Sequence, residues 1–155
     1  MIKDYIYECM KTEYNKMEDM CAEIGAYSEL QVFHQVGNML HWMMDYYDRK
    51  DKVLVLKESE KQLFLGIKFV NNCLKHNISF ITYQERESGY TTFPMKLDGK
   101  GCFYCYVWKD MNYLPSNSYH HKDQFDAYMK ECCGRPLILI VRSCMEIIKK
   151  IEQNS

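Results

Sequence analysis

The stretch Leu63-Phe64-Leu65-Gly66-Ile67-Lys68-Phe69-Val70-Asn71-Asn72-Cys73-Leu74-Lys75-His76-Asn77-Ile78-Ser79-Phe80-Ile81-Thr82-Tyr83 contains the change of period that decides the fold class. Up to Leu74, the apolar residues Leu63, Phe64, Ile67, Val70, Cys73 and Leu74 recur at three- and four-residue steps. That spacing puts them on one face of a helix, predicted over about 54–76. Lys75 and His76 place cationic side chains at the negative end of the helix dipole. Asn77 then tolerates the left-handed conformation that ends a helix. From Ile78 to Tyr83 the residues are β-branched and aromatic, which predicts a strand.

Toward the N-terminus, Ile2, Tyr5, Ile6, Cys9, Met10, Met17, Met20, Cys21 and Ile24 carry the same helical spacing. They predict a helix over 2–24, closed by Gly25. Ser28 is placed to cap a second helix over about 29–48, with Leu30, Phe33, Val36, Leu40, Met43 and Tyr47 on its apolar stripe. The run Asp48-Arg49-Lys50-Asp51-Lys52 is a polar connection. Toward the C-terminus, a turn or loop is expected at 85–89, a short strand at 91–93 and a turn at 98–101. Residues 102–108 form the most strand-like segment. A helix is expected at about 120–132. Gly134 separates it from a last helix, with Pro136 in its first turn and Leu137, Ile140, Val141, Cys144, Ile147, Ile148 and Ile151 on its apolar face.

The expected fold is mainly α, of the α+β kind. Three long antiparallel helices and a C-terminal helix form a bundle, with a small antiparallel β hairpin or sheet at about 78–108. The chain is expected to be one domain over 1–155, with the bundle made of 1–76 and 119–153 and a β insertion at about 78–113.

Composition narrows the function classes. The 155 residues are 47% apolar and 26% charged, with only 3 Pro and 7 Gly, the balance of a globular chain. No window approaches the ~18–20 apolar residues that span a bilayer. The start, Met1-Ile2-Lys3-Asp4-Tyr5, lacks the apolar stretch of an export signal. A cytoplasmic protein with no membrane association is therefore expected. The 8 cysteines fall largely in apolar helical runs and are expected to be buried, reduced thiols. A net charge of −1 excludes a global basic field that would attract nucleic acid. The charge is uneven, however: residues 1–30 hold 3 basic and 7 acidic side chains, and residues 49–76 hold 7 basic and 3 acidic. The second segment can offer a local phosphate-binding surface through Lys61, Lys68 and Lys75.

The heptapeptide Val70-Asn71-Asn72-Cys73-Leu74-Lys75-His76 resembles the signature of the HEPN group of ribonucleases and defence-system proteins. In that signature an Arg and a polar residue precede a His by a few positions, late in a helical bundle. Asn72 matches the polar position and His76 the His. Asn71 stands where the family has Arg. The resemblance implies metal-independent RNA cleavage by a homodimer in a toxin–antitoxin or phage-defence setting, or a catalytically degenerate relative. It makes His76 the general base on a ribose 2′-hydroxyl or the acid on the leaving oxygen. An imidazole titrates near neutrality and can do either. Asn72, four residues before His76, shares its helix face and would orient the ring. Asn71 cannot supply the positive charge of a guanidinium; Lys68 and Lys75 lie nearby as point charges.

Other constellations compete. Cys102-x-x-Cys105 lies in a strand-like run whose alternation turns the two thiols to opposite faces, unlike a zinc knuckle. Cys132-Cys133 and His120-His121 offer further ligands, but at an unusual spacing for zinc. His34, His41 and Asp45 share a face of the second helix as polar positions or a weak metal arrangement. The aromatic residues Phe103, Tyr104, Tyr106, Trp108 and Tyr113 suit a core or an interface, or else base stacking. No metal or other cofactor is expected. The rival to the ribonuclease is a non-enzymatic interaction module, binding a protein partner or a twin subunit through Met-rich faces and the aromatic strand. A ribonuclease needs the His76 face open to solvent in a cleft at a two-fold interface; an interaction module would have that face packed, with its exposed apolar surface elsewhere.

Overall fold

A computed structural model describes residues 4–22, 27–50, 53–84 and 106–154. Local capping chemistry sets where its helices start. Asp4 Oδ1 accepts from the Tyr7 amide at 3.1 Å, ahead of helix α1, Tyr5–Ala22. Ser28 and Gln31 form a reciprocal pair at the start of α2, Glu29–Lys50. The Gln31 amide donates to Ser28 Oγ at 3.2 Å and the Ser28 amide to Gln31 Oε1 at 2.8 Å. The third helix, α3, spans Glu58–Lys75, four residues shorter at its start than the sequence pattern suggests. Glu60 explains the later start, because its carboxylate accepts from the Lys57 amide at 2.9 Å and satisfies a donor that begins the helix there. Val53 and Val55, before this cap, are exposed.

The end of α3 also explains why the strand begins late. Asn77 adopts a φ of 55°, and the Asn77 and Ile78 amides turn back to the carbonyls of Leu74 and Cys73 at 3.2 and 2.9 Å. This is a full Schellman cap, so Ile78 belongs to the helix stop rather than to the strand. Strand β1 is only Ile81–Tyr83, and it pairs antiparallel with β2, Tyr106–Trp108, in the register Ile81↔Trp108, Thr82↔Val107 and Tyr83↔Tyr106. The turns and strand expected at 85–101, and the part of the second strand at 102–105, lie outside the described residues.

After a single 3₁₀ turn at Ser116–Ser118, helix α4 spans Lys122–Glu131 with His121 as its N-cap residue. Gly134, at φ 76°, carries the chain out of α4. Its amide donates to the Trp108 carbonyl at 2.8 Å, and the Trp108 amide donates to the Arg135 carbonyl at 3.0 Å. Pro136 pairs with Val107 in an isolated bridge. It therefore has extended backbone and precedes α5, Leu137–Gln153, instead of sitting in its first turn.

The protein is mainly α-helical with a small two-stranded antiparallel sheet. The first four helices run antiparallel in succession, as their contacts show. Between α1 and α2, Asp4 meets Arg49 and Glu13 meets Gln35. Between α2 and α3, Tyr47 stacks on Phe64, while Gly37 lies beside Leu74. Between α3 and α4, Gly66 lies against Tyr128 and Asn72 against Gln124. The last helix, α5, returns to α1, where Arg142 forms two bonds with the Glu18 carboxylate at 3.1 and 3.2 Å. The core holds Met10, Met17, Met39, Met43 and Met44 with Tyr46, Phe64, Phe80, Trp108 and Tyr128. Methionine's flexible thioether fits the irregular gaps between crossing helices. The Met-rich faces are thus largely core. No helix among the described residues is long and apolar enough to cross a membrane.

Candidate functional site

The C-terminal end of α3 carries Asn72 and His76 on one face, four residues apart. The same face meets the approach to α4, which the aromatic residues hold in place. Tyr119 stacks on Phe125 with ring centroids 4.5 Å apart and planes 2° from parallel. Phe69 of α3 meets both rings edge-on, at 6.1 and 5.5 Å. Such contacts are worth roughly 0.5–1.5 kcal/mol each beyond their burial. They fix Tyr119, which precedes His120 and His121 in the chain.

The result is a cavity of about 220 Å³, open to solvent on one side, between the end of α3 and the start of α4. His76, His120 and His121 line it together with the amide side chains of Asn72 and Gln124. All three histidines are exposed. Behind them, Gln124 is only 7% exposed, and its Oε1 accepts from Asn72 Nδ2 at 3.1 Å. This amide pair ties α3 to α4 at the cavity wall. Asn72 thus engages Gln124 through its Nδ2. Phe69, Cys73 and Ile78 supply the apolar floor. Burial pushes the Cys73 thiol up to about 11, so it contributes bulk and not a nucleophile.

Two helix ends of opposite polarity meet here. His76 is the C-cap of α3, and its amide donates to the Asn72 and Cys73 carbonyls at 3.2 Å. His121 is the N-cap of α4 and makes no side-chain capping bond.

Asn71 does not belong to this site. It is 8% exposed and does not line the cavity, because a step of about 100° per residue turns it away from the face of Asn72. An Arg at this position would not point into the cleft either. Lys61, Lys68 and Lys75 are seven residues apart and so share one stripe of α3, next to the Asn72 position. Lys61 and Lys75 are exposed, and Lys68 lies 3.5 Å from the Asp48 carboxylate. The lysine stripe runs along α3, and only its last member, Lys75, lies at the end that carries the histidine cleft.

The competing constellations separate. Among the described residues, no group of three His, Cys, Asp or Glu side chains is placed to hold a metal ion. Cys132 is fully buried in the core and Cys133 partly buried. Cys102, Cys105, Phe103 and Tyr104 lie outside the described residues. His34 and His41 line a separate apolar groove on α2, beside Leu30, Phe33 and Leu74. His41 Nε2 is 3.6 Å from Asp45 Oδ2. Tyr106 and Trp108 are core residues, with the Tyr106 hydroxyl donating to the Tyr27 carbonyl at 3.0 Å, whereas Tyr113 is 58% exposed with the Lys109 ammonium over its ring.

Sequence reasoning missed Gln124 and gave His120 and His121 only a doubtful metal role. A signal existed for the histidines, since they immediately precede an amphipathic helix and so flank its positive end. None existed for Gln124, whose partner is 52 residues away in the chain. Compared with known proteins, the chain matches no family model, no curated protein and no solved structure.

Proposed function

We propose that the protein is a HEPN-like, metal-independent endoribonuclease whose working surface is the histidine-lined cleft between α3 and α4. The observation that carries this reading is the position of His76: exposed, at a helix end, and lining a cavity with two further imidazoles and a fixed amide pair. An interaction module would have this face packed. Imidazoles are the side chains best suited to move protons at neutral pH. The cavity is smaller than the ~300–1,000 Å³ of pockets that enclose a drug-sized ligand. It suits one phosphodiester link of a longer strand lying across the surface.

In this reading the lysine stripe meets the flanking phosphates. Lys61, Lys68 and Lys75 attract the strand without reading its sequence. Asn72 acts through Gln124 as a positioning residue, holding the two helix ends at a set distance. The setting that the HEPN resemblance implies is a cytoplasmic toxin–antitoxin or phage-defence system, with the chain as a homodimer.

The test is cleavage of a labelled RNA by the purified protein in EDTA, wild type beside His76→Ala. The expected loss is about 10²–10⁴-fold, the range of a general acid or base. Lys61→Ala and Lys75→Ala should weaken RNA binding and flatten its salt dependence. A protein that binds RNA at the cleft but does not cut it is the degenerate relative. Equal cleavage by wild type and His76→Ala, or no RNA binding at all, overturns the proposal.

A further inference from the structure

We infer that the cavity between α3 and α4 receives one adenine base of a single-stranded RNA, read by the amide side chains of Gln124 and Asn72, while the phosphate beside that base stays at the mouth with the exposed histidines. The strand as the source of the base rests on the ribonuclease reading; the base pocket itself rests on the amide pair.

Asn72 and Gln124 are joined by one bond, from Asn72 Nδ2 to Gln124 Oε1 at 3.1 Å. That bond leaves Gln124 Nε2 as a donor and Asn72 Oδ1 as an acceptor, and neither has a partner among the described residues. Gln124 is only 7% exposed, and a donor so nearly buried is costly to leave unmet. It is not sealed in the core, however. Among the described residues, the one sealed side-chain polar atom without a partner is Trp108 Nε1. Both amides line the cavity, so an occupant of the cavity can reach the free donor and the free acceptor together.

The rest of the lining selects the occupant. A donor beside an acceptor matches the edge of a nucleobase, which presents the same two functions side by side. Phe69, Cys73, Ile78 and Leu114 add an apolar surface, and Tyr119, stacked on Phe125, adds an aromatic one. Bases splayed out of a strand are held on such surfaces. The volume of about 220 Å³ falls short of a drug-sized ligand, and a single base is a smaller guest. Among the described residues, no Arg, Lys, Asp or Glu lines the cavity. Guanine is most often read by Arg or Lys and cytosine by Asp or Glu, whereas adenine is read by Asn and Gln. Uracil also offers a donor and an acceptor, but its single ring covers less apolar surface than a purine does. Asn72 Oδ1 therefore accepts from the 6-amino group of adenine, and Gln124 Nε2 donates to the ring nitrogen beside it.

Binding is measured with the full chain and 2′-O-methyl oligonucleotides, which cannot be cut: a short oligouridine, and the same strand with one central adenosine, guanosine or cytidine. The adenosine strand is expected to bind roughly 5–150-fold more tightly than the oligouridine, the factor that a well-placed donor and acceptor supply. Replacing its adenine by purine, which lacks the 6-amino group, is expected to remove most of that gain. Imidazole resonances locate the base: His76, His120 and His121 should shift, and His34 and His41, in the separate groove on α2, should not. Gln124→Glu keeps an oxygen for Asn72 Nδ2 but loses the donor, and is expected to abolish the adenine preference. If that variant does not fold, the purine strand and the imidazole shifts decide the matter in the wild type. Equal binding of all four strands, a purine strand as tight as the adenosine one, shifts confined to His34 and His41, or an adenine preference that survives in folded Gln124→Glu overturns the inference. So does adenosine monophosphate that competes as tightly as the strand, because the pocket then belongs to a free nucleotide. Cleavage of RNA in EDTA without any base preference leaves the ribonuclease and removes the pocket. Adenine-selective binding with unmodified RNA left intact leaves the pocket and removes the ribonuclease.

Discussion

Gly66 sits where α3 and α4 approach most closely, and adding one methyl group there tests both the packing and the site. A Cβ at Gly66 would lie 3.1 Å from Tyr128 Cα, 3.3 Å from Tyr128 N and 3.1 Å from Cys132 Sγ. Two of these neighbours are backbone, so relief requires α4 to move as a body. Forcing a methyl group into such a contact costs roughly 1–3 kcal/mol. Alanine's better helix propensity returns about 0.8–1 kcal/mol in a helix interior. Gly66→Ala should therefore range from neutral to about 2 kcal/mol less stable than wild type.

Gly37 provides the control. It also lies inside a long helix, but a Cβ there meets only the Leu74 side chain, at 3.4 and 3.5 Å. These are ordinary contacts with a movable group, so the propensity gain survives and Gly37→Ala should be more stable by roughly 0.5–1 kcal/mol. Urea denaturation midpoints measure the difference between the two variants, expected at about 1–3 kcal/mol. Thermal midpoints should separate by roughly 2–4 °C for each kcal/mol at this chain length. Because α4 carries His121 and Gln124, Gly66→Ala should also shift the His121 imidazole resonance, and Gly37→Ala should not. If Gly66→Ala matches or exceeds Gly37→Ala in stability, the close α3–α4 approach described here is wrong.

Three further outcomes follow from named contacts. Asn72→Ala removes the donor to a nearly buried Gln124, and leaving such an amide unpaired should cost about 1–3 kcal/mol in urea melts. Stability should fall in acid. Burial works to raise the carboxyls of Asp4, Glu13 and Glu152, but bonds from Tyr7 and Arg49, from Lys16 and Gln35, and from Lys50 and Tyr46 outweigh it and hold all three below their ordinary values. A carboxyl held low when folded adds stability that is complete above its unfolded value, near pH 4, and is lost as pH falls through the folded value. Melting temperatures should thus decline below about pH 4 and more steeply in the wild type than in Glu152→Gln. Finally, burial pushes the Cys73 and Cys132 thiols up to about 11 and about 12, and raises Cys144 as well. Peptide mapping after brief iodoacetamide treatment should find these three unlabelled in the native protein and labelled in urea. Native labelling of Cys144 would contradict its burial.

The sequence by itself determined the helices and their inward faces, because a 3.6-residue period and a capping residue are local properties. Ser28 closing on Gln31 and Asn77 turning left-handed were legible for that reason. Boundaries were legible only where the cap was recognised. Lys57–Glu60 was not, and α3 was expected four residues too early. The strand at Ile78 was expected too early because the β-branched run overlaps a Schellman cap, and the helix stop takes the Ile78 amide first. The heptapeptide ending in His76 marked one wall of the cleft. Only the tertiary structure supplied the other wall. It turned Asn71 into the interior, paired Asn72 with Gln124 and, with Tyr119 stacked on Phe125, brought His120 and His121 to the same cavity as His76. Sequence periodicity specifies which face of a helix is buried, but not which other helix end that face will meet, and this site lies between two such ends.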